Sequence, residues 1–286
     1  MDIPHYAIIG HPIGHTMSPF IHQSLFRLSG TKGEYRILDI PPQDFGHFIP
    51  QLKALRGFNL TIPHKRSILP FLSEIDQTAK RCGSVNTVKN QNGRLIGYTT
   101  DGIGFIKALQ AAQVRLNGNT LLLGNGGAAR VMAFEVLQAG GTCTIAVRQE
   151  SLAKGEALKK DLLAEFPQAT VHVVCTGEIT GSFDLLINGT PVGMYPHVDA
   201  CPVPESVIRN CRAVFDAVYN PEHTLLLQKA TAFGAKAVGG MTMLVWQAVA
   251  AHEIWNGSQF SPSDIEVLCA DATREMHRLF GKGTAG

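Results

Sequence analysis

The hydrophobic and polar positions of the chain fall into alternating blocks that predict strands and helices in turn. The apolar run "YAIIG" predicts a short buried strand, Ser18-Pro19 opens a helix to about Leu28, and "EYRILDI" predicts a second strand. A helical pattern follows through Leu55, and "GFNLTIP" predicts a third strand. This alternation is typical of an α/β fold.

One more helix and a hairpin complete the first predicted domain. Ser73 is the predicted N-cap of a helix that ends at Gly83, because serine caps helices and glycine follows their last turn. The next stretch predicts two strands joined at Asn92-Gly93, a dipeptide that favours a two-residue hairpin turn. We expect this domain to begin with residues 1–100.

A second run of strand and helix patterns occupies residues 101–240. It begins with a helix from Asp101 to about Val114, the strand "NTLLLG", a glycine turn, a helix to Ala139 and the strand "TCTIAVR". Further patterns of both kinds lie in "TVHVVC", "DLLINGT", "AVFDAVY", "TLLLQKATAFG" and "AKAVGG". Their order predicts a second α/β domain.

Two helices are predicted to close the chain. The first is the apolar stretch "MTMLVWQAVAAHEIWNG", and the second opens at Ser261-Pro262 with Asp264 three residues after the cap. We expect Trp246 and Trp255 to pack the first of these helices onto the first domain. That domain is then discontinuous, with residues 1–100 and 241–286, and the two domains are able to open and close about a hinge.

The glycine turn of the second domain predicts a dinucleotide site. Gly124, Gly126 and Ala129 fit the pattern G-x-G-x-x-[GA] between a strand and a helix, which is the context of a Rossmann-type phosphate-binding turn. The alternative is a tight turn that serves packing alone. The predicted cofactor-binding residues of this turn are Gly124, Gly126, Gly127 and Ala128.

The end of the next strand bears on the type of cofactor. An acidic residue there binds the ribose 2′-hydroxyl of NAD, whereas an arginine binds the 2′-phosphate of NADP. Arg148 stands roughly in this position and favours NADP. Glu150 lies nearby and leaves NAD open.

Charge and cysteine content exclude several classes of function. The formal net charge is only +2 and no block of like charge occurs, which argues against a nucleic-acid or anionic-membrane partner. The six cysteines are scattered without a C-x-x-C pair, and no stretch reads as a signal peptide or membrane span, so we expect a soluble cytoplasmic protein. His11, His15 and His22 do not repeat at helical spacing, so we expect no metal site.

Polar side chains in the first domain predict a catalytic centre. Asn59 and Thr61 alternate along one strand, Lys65 follows one turn later, Asn86 sits on the neighbouring strand and Asp101 starts a helix. Taken singly, Asp101 could be a helix cap and Lys65 a surface charge. Together with a dinucleotide fold, they predict a cleft in which an ammonium and a carboxylate meet a small polyhydroxylated substrate.

These residues belong to motifs through which the chain resembles the shikimate dehydrogenase family over nearly its whole length. The family's motifs S-x-S-P-x-x-H, N-x-T-x-P-x-K, G-[AS]-V-N-T, N-T-D-G, G-x-G-G-[AS] and M-L-x-x-Q correspond, in order, to residues 16–22, 59–65, 83–87, 99–102, 124–128 and 243–247. The resemblance implies reversible reduction of 3-dehydroshikimate to shikimate with NADPH, a step of aromatic amino acid biosynthesis.

The resemblance also implies roles for single residues. Lys65 would donate a proton to the carbonyl oxygen, directly or through a water, and Asp101 would orient Lys65 and the reacting hydroxyl. Thr16 and Ser18 would hold the substrate carboxylate at a helix start. The other implied substrate-binding residues are Asn59, Thr61, Asn86, Tyr219 and Gln247. The implied nucleotide-binding residues beyond the glycine turn and Arg148 are Asn188, Thr190, Gly240 and Met243.

The chain departs from the family pattern at several positions. Thr16 stands where the family usually has serine, which leaves quinate open as a substrate. Thr99 replaces an asparagine and Gly239 an aspartate, so we expect hydrogen bonding around the site to differ from that of the family. Leu152 falls near the position of a second arginine, which leaves dual use of NADP and NAD open. A non-catalytic NADP-binding metabolite sensor is the alternative of another class. Both a monomer and a homodimer fit the sequence.

Overall fold

The computed structural model describes residues 3–14 and 16–281. The chain divides into two compact units, one of Met1–Ile103 with Leu244–Gly286 and the other of Gly104–Met243. The structure therefore places both crossings between the units slightly later than the predicted boundaries at residues 100 and 240. As a result, Asp101 belongs to the first unit.

Alternating strands and helices form the first unit. Its N-terminal elements are β1 (His5–Gly10), α1 (Ser18–Leu28), β2 (Glu34–Asp39), α2 (Phe45–Leu52), β3 (Gly57–Leu60), β4 (Glu74–Ile75), α3 (Gln77–Cys82), β5 (Thr87–Gln91) and β6 (Arg94–Tyr98). Helix α4 (Asp101–Ala111) then begins in the first unit and continues into the second.

The first unit contains a mixed six-stranded sheet in the order β2-β1-β3-β5-β6-β4. Strands β2, β1 and β3 run parallel, and β5 is antiparallel to both β3 and β6. The β5–β6 hairpin turns at Asn92 and Gly93, whose φ angles of 54° and 87° are those of the predicted two-residue turn. Phe58 on β3 and Val88 on β5 are among the buried side chains of the core.

The start of α3 differs from the prediction. Asp76, rather than Ser73, is the N-cap, and its carboxylate accepts hydrogen bonds from the backbone N–H groups of Thr78 and Ala79. Residues 74 and 75 form β4, which pairs in parallel with β6. The predicted helix end is confirmed, because Gly83 follows α3 with a φ of 62°.

The second unit is built on a doubly wound parallel sheet. Its elements after α4 are β7 (Asn119–Leu123), α5 (Gly127–Gln138), β8 (Thr142–Val147), α6 (Leu152–Glu165), β9 (Val171–Cys175), β10 (Phe183–Asn188), α7 (Glu205–Ile208), β11 (Cys211–Asp216), α8 (Leu225–Ala232) and β12 (Lys236–Val238). The strand order β12-β11-β10-β7-β8-β9 is that of a dinucleotide-binding fold, with its switch point between β7 and β10.

The two closing helices are confirmed as α9 (Met241–Asn256) and α10 (Pro262–Phe280). From Leu244 onward they belong to the first unit, where Trp255 is buried and its indole N–H donates to the carbonyl of Val88 at 2.9 Å. Ser261 caps α10 by accepting a hydrogen bond from the N–H of Asp264 at 3.1 Å. The predicted fold class, α/β with two domains and returning C-terminal helices, is confirmed. Among the described helices, none is long and apolar enough to cross a membrane.

Candidate active site

The ammonium of Lys65 and the carboxylate of Asp101 form an ion pair in the first unit. Lys65 Nζ donates to Asp101 Oδ2, and the side chains are only 14% and 5% exposed. Lys65 lies after β3, where its carbonyl accepts a hydrogen bond from the N–H of Val85 at 2.9 Å. Asp101 is the first residue of α4. Asp101 is therefore a helical residue rather than the cap that precedes the helix, and both of its carboxylate oxygens are bonded to other side chains.

Asn86 holds the second oxygen of Asp101. Its amide Nδ2 lies 2.9 Å from Asp101 Oδ1, 2.9 Å from Thr100 Oγ1 and 3.2 Å from Gln247 Oε1. An amide nitrogen has two hydrogens for these three acceptors, so Asn86 donates to at most two of them at a time in full. Gln247 reaches this cluster from α9, and its own Nε2 donates to the carbonyl of Leu244 at 2.9 Å.

Asn59 is buried next to Asn86, and both its side-chain oxygen and its side-chain nitrogen form hydrogen bonds within the protein. Tyr35 donates its hydroxyl hydrogen to Asn59 Oδ1 at 2.7 Å, and Asn59 Nδ2 donates to Thr87 Oγ1 at 3.0 Å and to the carbonyl of Asn86 at 3.3 Å. The geometry thus joins Asn59 to the Asn86 cluster through the protein's own hydrogen bonds. Thr61 follows the end of β3, and its N–H donates to the carbonyl of Ile9.

The sequence did not single out Tyr35 and Thr87 as members of this cluster. Tyr35 is buried on β2, and Thr87 is buried on β5 directly opposite Asn59 on β3. Both occur in ordinary strand patterns, in which tyrosine and threonine are common. Only the strand register could have revealed their partners.

The two hydroxyls at the start of α1 lie within hydrogen-bond distance of each other. Thr16 Oγ1 donates to Ser18 Oγ at 3.2 Å and also accepts the N–H of Ser18 at 3.2 Å. Ser18 is the first helical residue of α1, as the sequence predicts, and the cap residue is Met17. Thr16 satisfies one of the free N–H groups of this helix start, and Ser18 places a second hydroxyl beside it.

The histidines of the first unit occupy different environments. His64 is fully buried, stacks on Phe45 with ring centroids 4.2 Å apart, and has Nε2 2.7 Å from the carbonyl oxygen of Ile40. Its ring is shielded from solvent, and this burial lowers the pKa of His64. His22 is also buried, whereas His11 is half-exposed and its Nδ1 lies 2.6 Å from Asp39. His15 lies outside the described residues.

No grouping of metal ligands accompanies these side chains. Within residues 3–14 and 16–281, no cluster of three or more histidine, cysteine, aspartate or glutamate residues could hold a metal ion.

In the second unit, the glycine turn joins β7 to α5. Gly124 has a φ of 98°, and a Cβ there would come within 2.8 Å of Thr190 Cγ2. Gly126 is the N-cap of α5, and a Cβ there would meet open space. Gly127 and Ala128 form the first turn of α5, whose leading N–H groups have no partners within the helix. This is the arrangement that binds a pyrophosphate.

The carboxyl ends of β10 and β11 carry a buried polar network beside this turn. Asn188 Oδ1 accepts hydrogen bonds from Thr190 N and Thr190 Oγ1, and Asn188 Nδ2 donates to Asp216 Oδ1 at 2.9 Å. Burial raises the pKa of Asp216 to about 6. The sequence pointed to Asn188 and Thr190 but missed Asp216, which is embedded in the apolar strand β11.

The other predicted residues of the second unit are dispersed along its later elements. Tyr219 follows β11 and is half-buried. A Cβ on Gly240 would come within 2.5 Å of the carbonyl oxygen of Ala217, so this position requires glycine, whereas Gly239 has room for a side chain. Met243 is buried in the first turn of α9.

Arg148 follows β8 on the surface and is engaged by a neighbouring acid. Its Nε lies 3.1 Å from Glu150 Oε1, and the side chains are 77% and 64% exposed. Leu152, near the position of the family's second arginine, begins α6. The guanidinium is thus accessible to a phosphate, and a carboxylate competes for it.

Comparisons with known proteins agree with these features. Residues 8–88 match the family model of the shikimate dehydrogenase substrate binding domain. A relative from Methanococcus maripaludis strain C6, named shikimate dehydrogenase (NADP(+)), is 36% identical over 258 residues, which cover 88% of this chain and 91% of the relative. This chain belongs to the shikimate dehydrogenase family.

Solved structures of shikimate dehydrogenases share the whole fold. The enzyme of Thermus thermophilus in complex with NADP(H) and shikimate has a TM-score of 0.83 and 33% identity, covering 94% of this chain and 100% of that chain. The enzyme of Listeria monocytogenes in complex with shikimate and NAD has a TM-score of 0.80 and 26% identity, covering 93% and 96%.

The family's substrate-binding region accounts for only part of the first unit's polar cluster. Lys65 and Asn86 lie within residues 8–88, whereas Asp101 and Gln247 lie outside them. In this chain, α4 supplies the Asp101 carboxylate and α9 supplies the Gln247 amide to the polar cluster of the first unit.

Proposed function

We propose that this protein is an NADP-dependent shikimate dehydrogenase that reversibly reduces 3-dehydroshikimate to shikimate in aromatic amino acid biosynthesis. The observation that carries the proposal is the buried carboxylate of Asp101, which is held on one oxygen by Lys65 and on the other by Asn86. This pair lies in a chain that belongs to the shikimate dehydrogenase family and contains a dinucleotide-type sheet.

The residues of the second unit fit a dinucleotide phosphate. Gly126 leaves open space at the start of α5, where the first N–H groups lack helical partners. Arg148 is exposed beyond β8, the position at which an arginine receives a 2′-phosphate. NADPH, when bound, supplies the hydride that reduces the carbonyl carbon.

Lys65 supplies the proton that balances this hydride. As the carbonyl carbon is reduced, negative charge develops on its oxygen, and a nearby ammonium stabilises that charge and donates a proton to it. Asp101 fixes the Lys65 ammonium through Oδ2, while Asn86 fixes Asp101 through Oδ1. In the direction of shikimate oxidation, the same Lys65 nitrogen takes the proton back.

The hydroxyls of Thr16 and Ser18 are suited to the substrate carboxylate. They lie at the positive end of the α1 dipole, and Ser18 Oγ is not consumed by helix capping. The ring hydroxyls fall to Asn86 and Gln247, whose mutual hydrogen bond of 3.2 Å is the longest of the three that Asn86 Nδ2 makes. Thr16 carries a methyl group that serine lacks. Comparing kcat/KM for shikimate with kcat/KM for quinate measures whether this methyl group changes substrate preference.

The first experiment measures initial rates of nicotinamide reduction by the purified full chain. Shikimate and quinate are each assayed with NADP and with NAD, and we expect the highest kcat/KM with shikimate and NADP. A preference for quinate would assign specificity to the Thr16 end of the site, and a preference for NAD would assign it to Glu150. Absence of turnover in all four assays, with NADP binding retained, would contradict the proposal and favour a metabolite sensor.

The cellular location and the oligomeric state are two further properties of the protein. We infer a cytoplasmic location, which the free cysteines support, since six are free among the described residues. Size-exclusion chromatography with light scattering distinguishes a monomer from a homodimer.

A further inference from the structure

The last residue of β11 is a buried carboxylate that the proposed reaction does not use. Asp216 is fully buried, and its side chain accepts three hydrogen bonds. Oδ1 accepts Asn188 Nδ2 at 2.9 Å and Val218 N at 3.0 Å, and Oδ2 accepts Thr224 Oγ1 at 2.6 Å. Burying a carboxylate costs free energy unless donors surround it. Moving any of the three donors away from Asp216 is therefore unfavourable, which holds the donors in place.

The bonds of Asp216 reach the glycine turn through one amide. Asn188, held by Asp216, accepts both polar hydrogens of Thr190, and its Nδ2 also lies 3.2 Å from the carbonyl of Val192. The Thr190 methyl group fills the space that a Cβ on Gly124 would need. Residues 188–192 therefore follow β10 in a shape set by Asp216 and pack against the turn that follows β7.

This contact lies at the switch point of the sheet. Strands β7 and β10 are neighbours, and their connections leave in opposite directions along the sheet. In doubly wound folds, ligands bind outside the carboxyl ends of the strands at such a point. The turn shaped by Asp216 consequently borders the place where a dinucleotide is expected.

We propose that Asp216 is a positioning residue for the dinucleotide, acting through Asn188 on the turn of residues 188–192. The inference rests on the proposed NADP-dependent function. Without the carboxylate, the side-chain N–H of Asn188 and the backbone N–H of Val218 lose a buried acceptor. The Asn188 amide is then held only by Val192 and Thr190, so it has more freedom to reorient, and the hydrogen bonds that fix Thr190 are weakened.

The test is the dissociation constant for NADP of the full-length D216A variant, measured by isothermal titration calorimetry well below its melting temperature. We expect an increase of about tenfold, as for loss of a buried hydrogen-bond acceptor. D184A is the matched control. Asp184 also accepts a backbone N–H, that of Asn119, but it lies near the amino end of β10, whereas the turn of residues 188–192 follows the carboxyl end. D184A should leave the dissociation constant within about twofold of wild type.

Two further variants separate positioning from folding. D216N keeps an oxygen for Asn188 and Val218 and should restore the NADP dissociation constant to within about twofold of wild type. T224V keeps the shape of Thr224 but removes the donor to Oδ2, and it should raise the dissociation constant by about threefold. If D216A does not fold, T224V decides, and an unchanged dissociation constant for T224V overturns the inference.

The outcomes distinguish this inference from the proposed function. An unchanged NADP dissociation constant in D216A, or an equal increase in D216A and D184A, overturns the role of Asp216 while wild-type shikimate oxidation still supports the proposed function. Failure of the wild type to bind NADP contradicts both. A purely structural role would lower the melting temperature of D216A without changing the dissociation constant, whereas the positioning role predicts a higher KM for NADP in steady-state kinetics with little change in the KM for shikimate.

Discussion

The Lys65 ammonium is expected to carry the proton transfer, because Asp101 holds it and both side chains are largely buried. We predict that K65A lowers kcat for shikimate oxidation by about a thousandfold, the usual range for loss of a general acid–base group. The NADP dissociation constant should stay near that of wild type, because the dinucleotide turn belongs to the other unit. Lys53 is exposed on the first unit, so K53A is the matched control. Full turnover in K65A would remove Lys65 from the mechanism.

The carboxylate of Glu150 is expected to tune cofactor choice through Arg148, its ion-pair partner. We predict that E150Q raises the ratio of kcat/KM with NADP to kcat/KM with NAD roughly fivefold, because it removes a charge that repels a 2′-phosphate and competes for the guanidinium. The ratio is measured with shikimate in excess. E156Q changes an exposed glutamate of α6 in the same way and should leave the ratio unchanged. An equal response of the two variants would show a general charge effect.

At the turn between β7 and α5, we predict that one substitution weakens cofactor binding without changing stability. Gly126 has a φ of −73° and no heavy atom within 4 Å of an added Cβ, so G126A should leave the free energy of unfolding within about 0.5 kcal/mol of wild type. The same methyl group would stand where a pyrophosphate approaches the backbone, so the NADP dissociation constant should rise at least about tenfold. Calorimetry and urea unfolding measure the two quantities. Gly177 is equally open, and G177A should change neither.

Elements that neighbouring residues determine were predictable from the sequence, whereas those that depend on pairing with a distant strand were not. The hairpin at Asn92-Gly93 and the cap of α10 at Ser261 were predictable because neighbouring residues decide them. The start of α3 was not, because Ser73 and Asp76 are both good cap residues and the pairing of β4 with distant β6 excludes the first. Helix α6 was not predicted from the sequence, because only Gly155, Leu158 and Leu162 of its residues are buried and the apolar pattern is weak.

The residues of the candidate site also divide into those that the sequence motifs identified and those that only the pairing of strands reveals. Residues with motif spacing, such as Lys65 and Asp101, were found from the sequence, and the structure brings them together. Tyr35 and Asp216 were missed because their partners lie on other strands, so their roles depend on register and on the burial of polar groups. A polar residue inside an apolar strand is the signal that could have indicated Asp216.

The chain as a whole crosses between its two units inside helices. The first crossing lies within α4, three residues into the helix that Asp101 begins, and the second lies within α9, directly after Met243. Asp101, predicted to orient Lys65, and Met243, predicted for cofactor contact, therefore belong to continuous helices rather than to connecting loops.

The buried Asp216 carboxylate predicts a pH dependence of the stability of the molecule. Its pKa is raised from 3.8 to about 6, so the folded protein binds a proton more tightly than the unfolded chain between these values. The free energy of unfolding should therefore fall as pH rises from about 4 to about 6 and lose up to about 3 kcal/mol from this group, at 1.36 kcal/mol per pKa unit. D216N cannot ionise and lacks this loss. The other titrating groups, including the buried His252, contribute equally to both proteins and cancel in the difference.

Urea unfolding of wild type and D216N at a series of pH values from 4 to 7 measures this difference directly. The advantage of D216N should grow with pH up to about 6 and then stay constant, because Asp216 is ionised above that pH. A difference that does not change with pH would mean that the three donors around Asp216 stabilise its charge enough to offset the burial. The carboxylate would then stabilise the fold at neutral pH, and its role in holding Asn188 would carry no cost in stability.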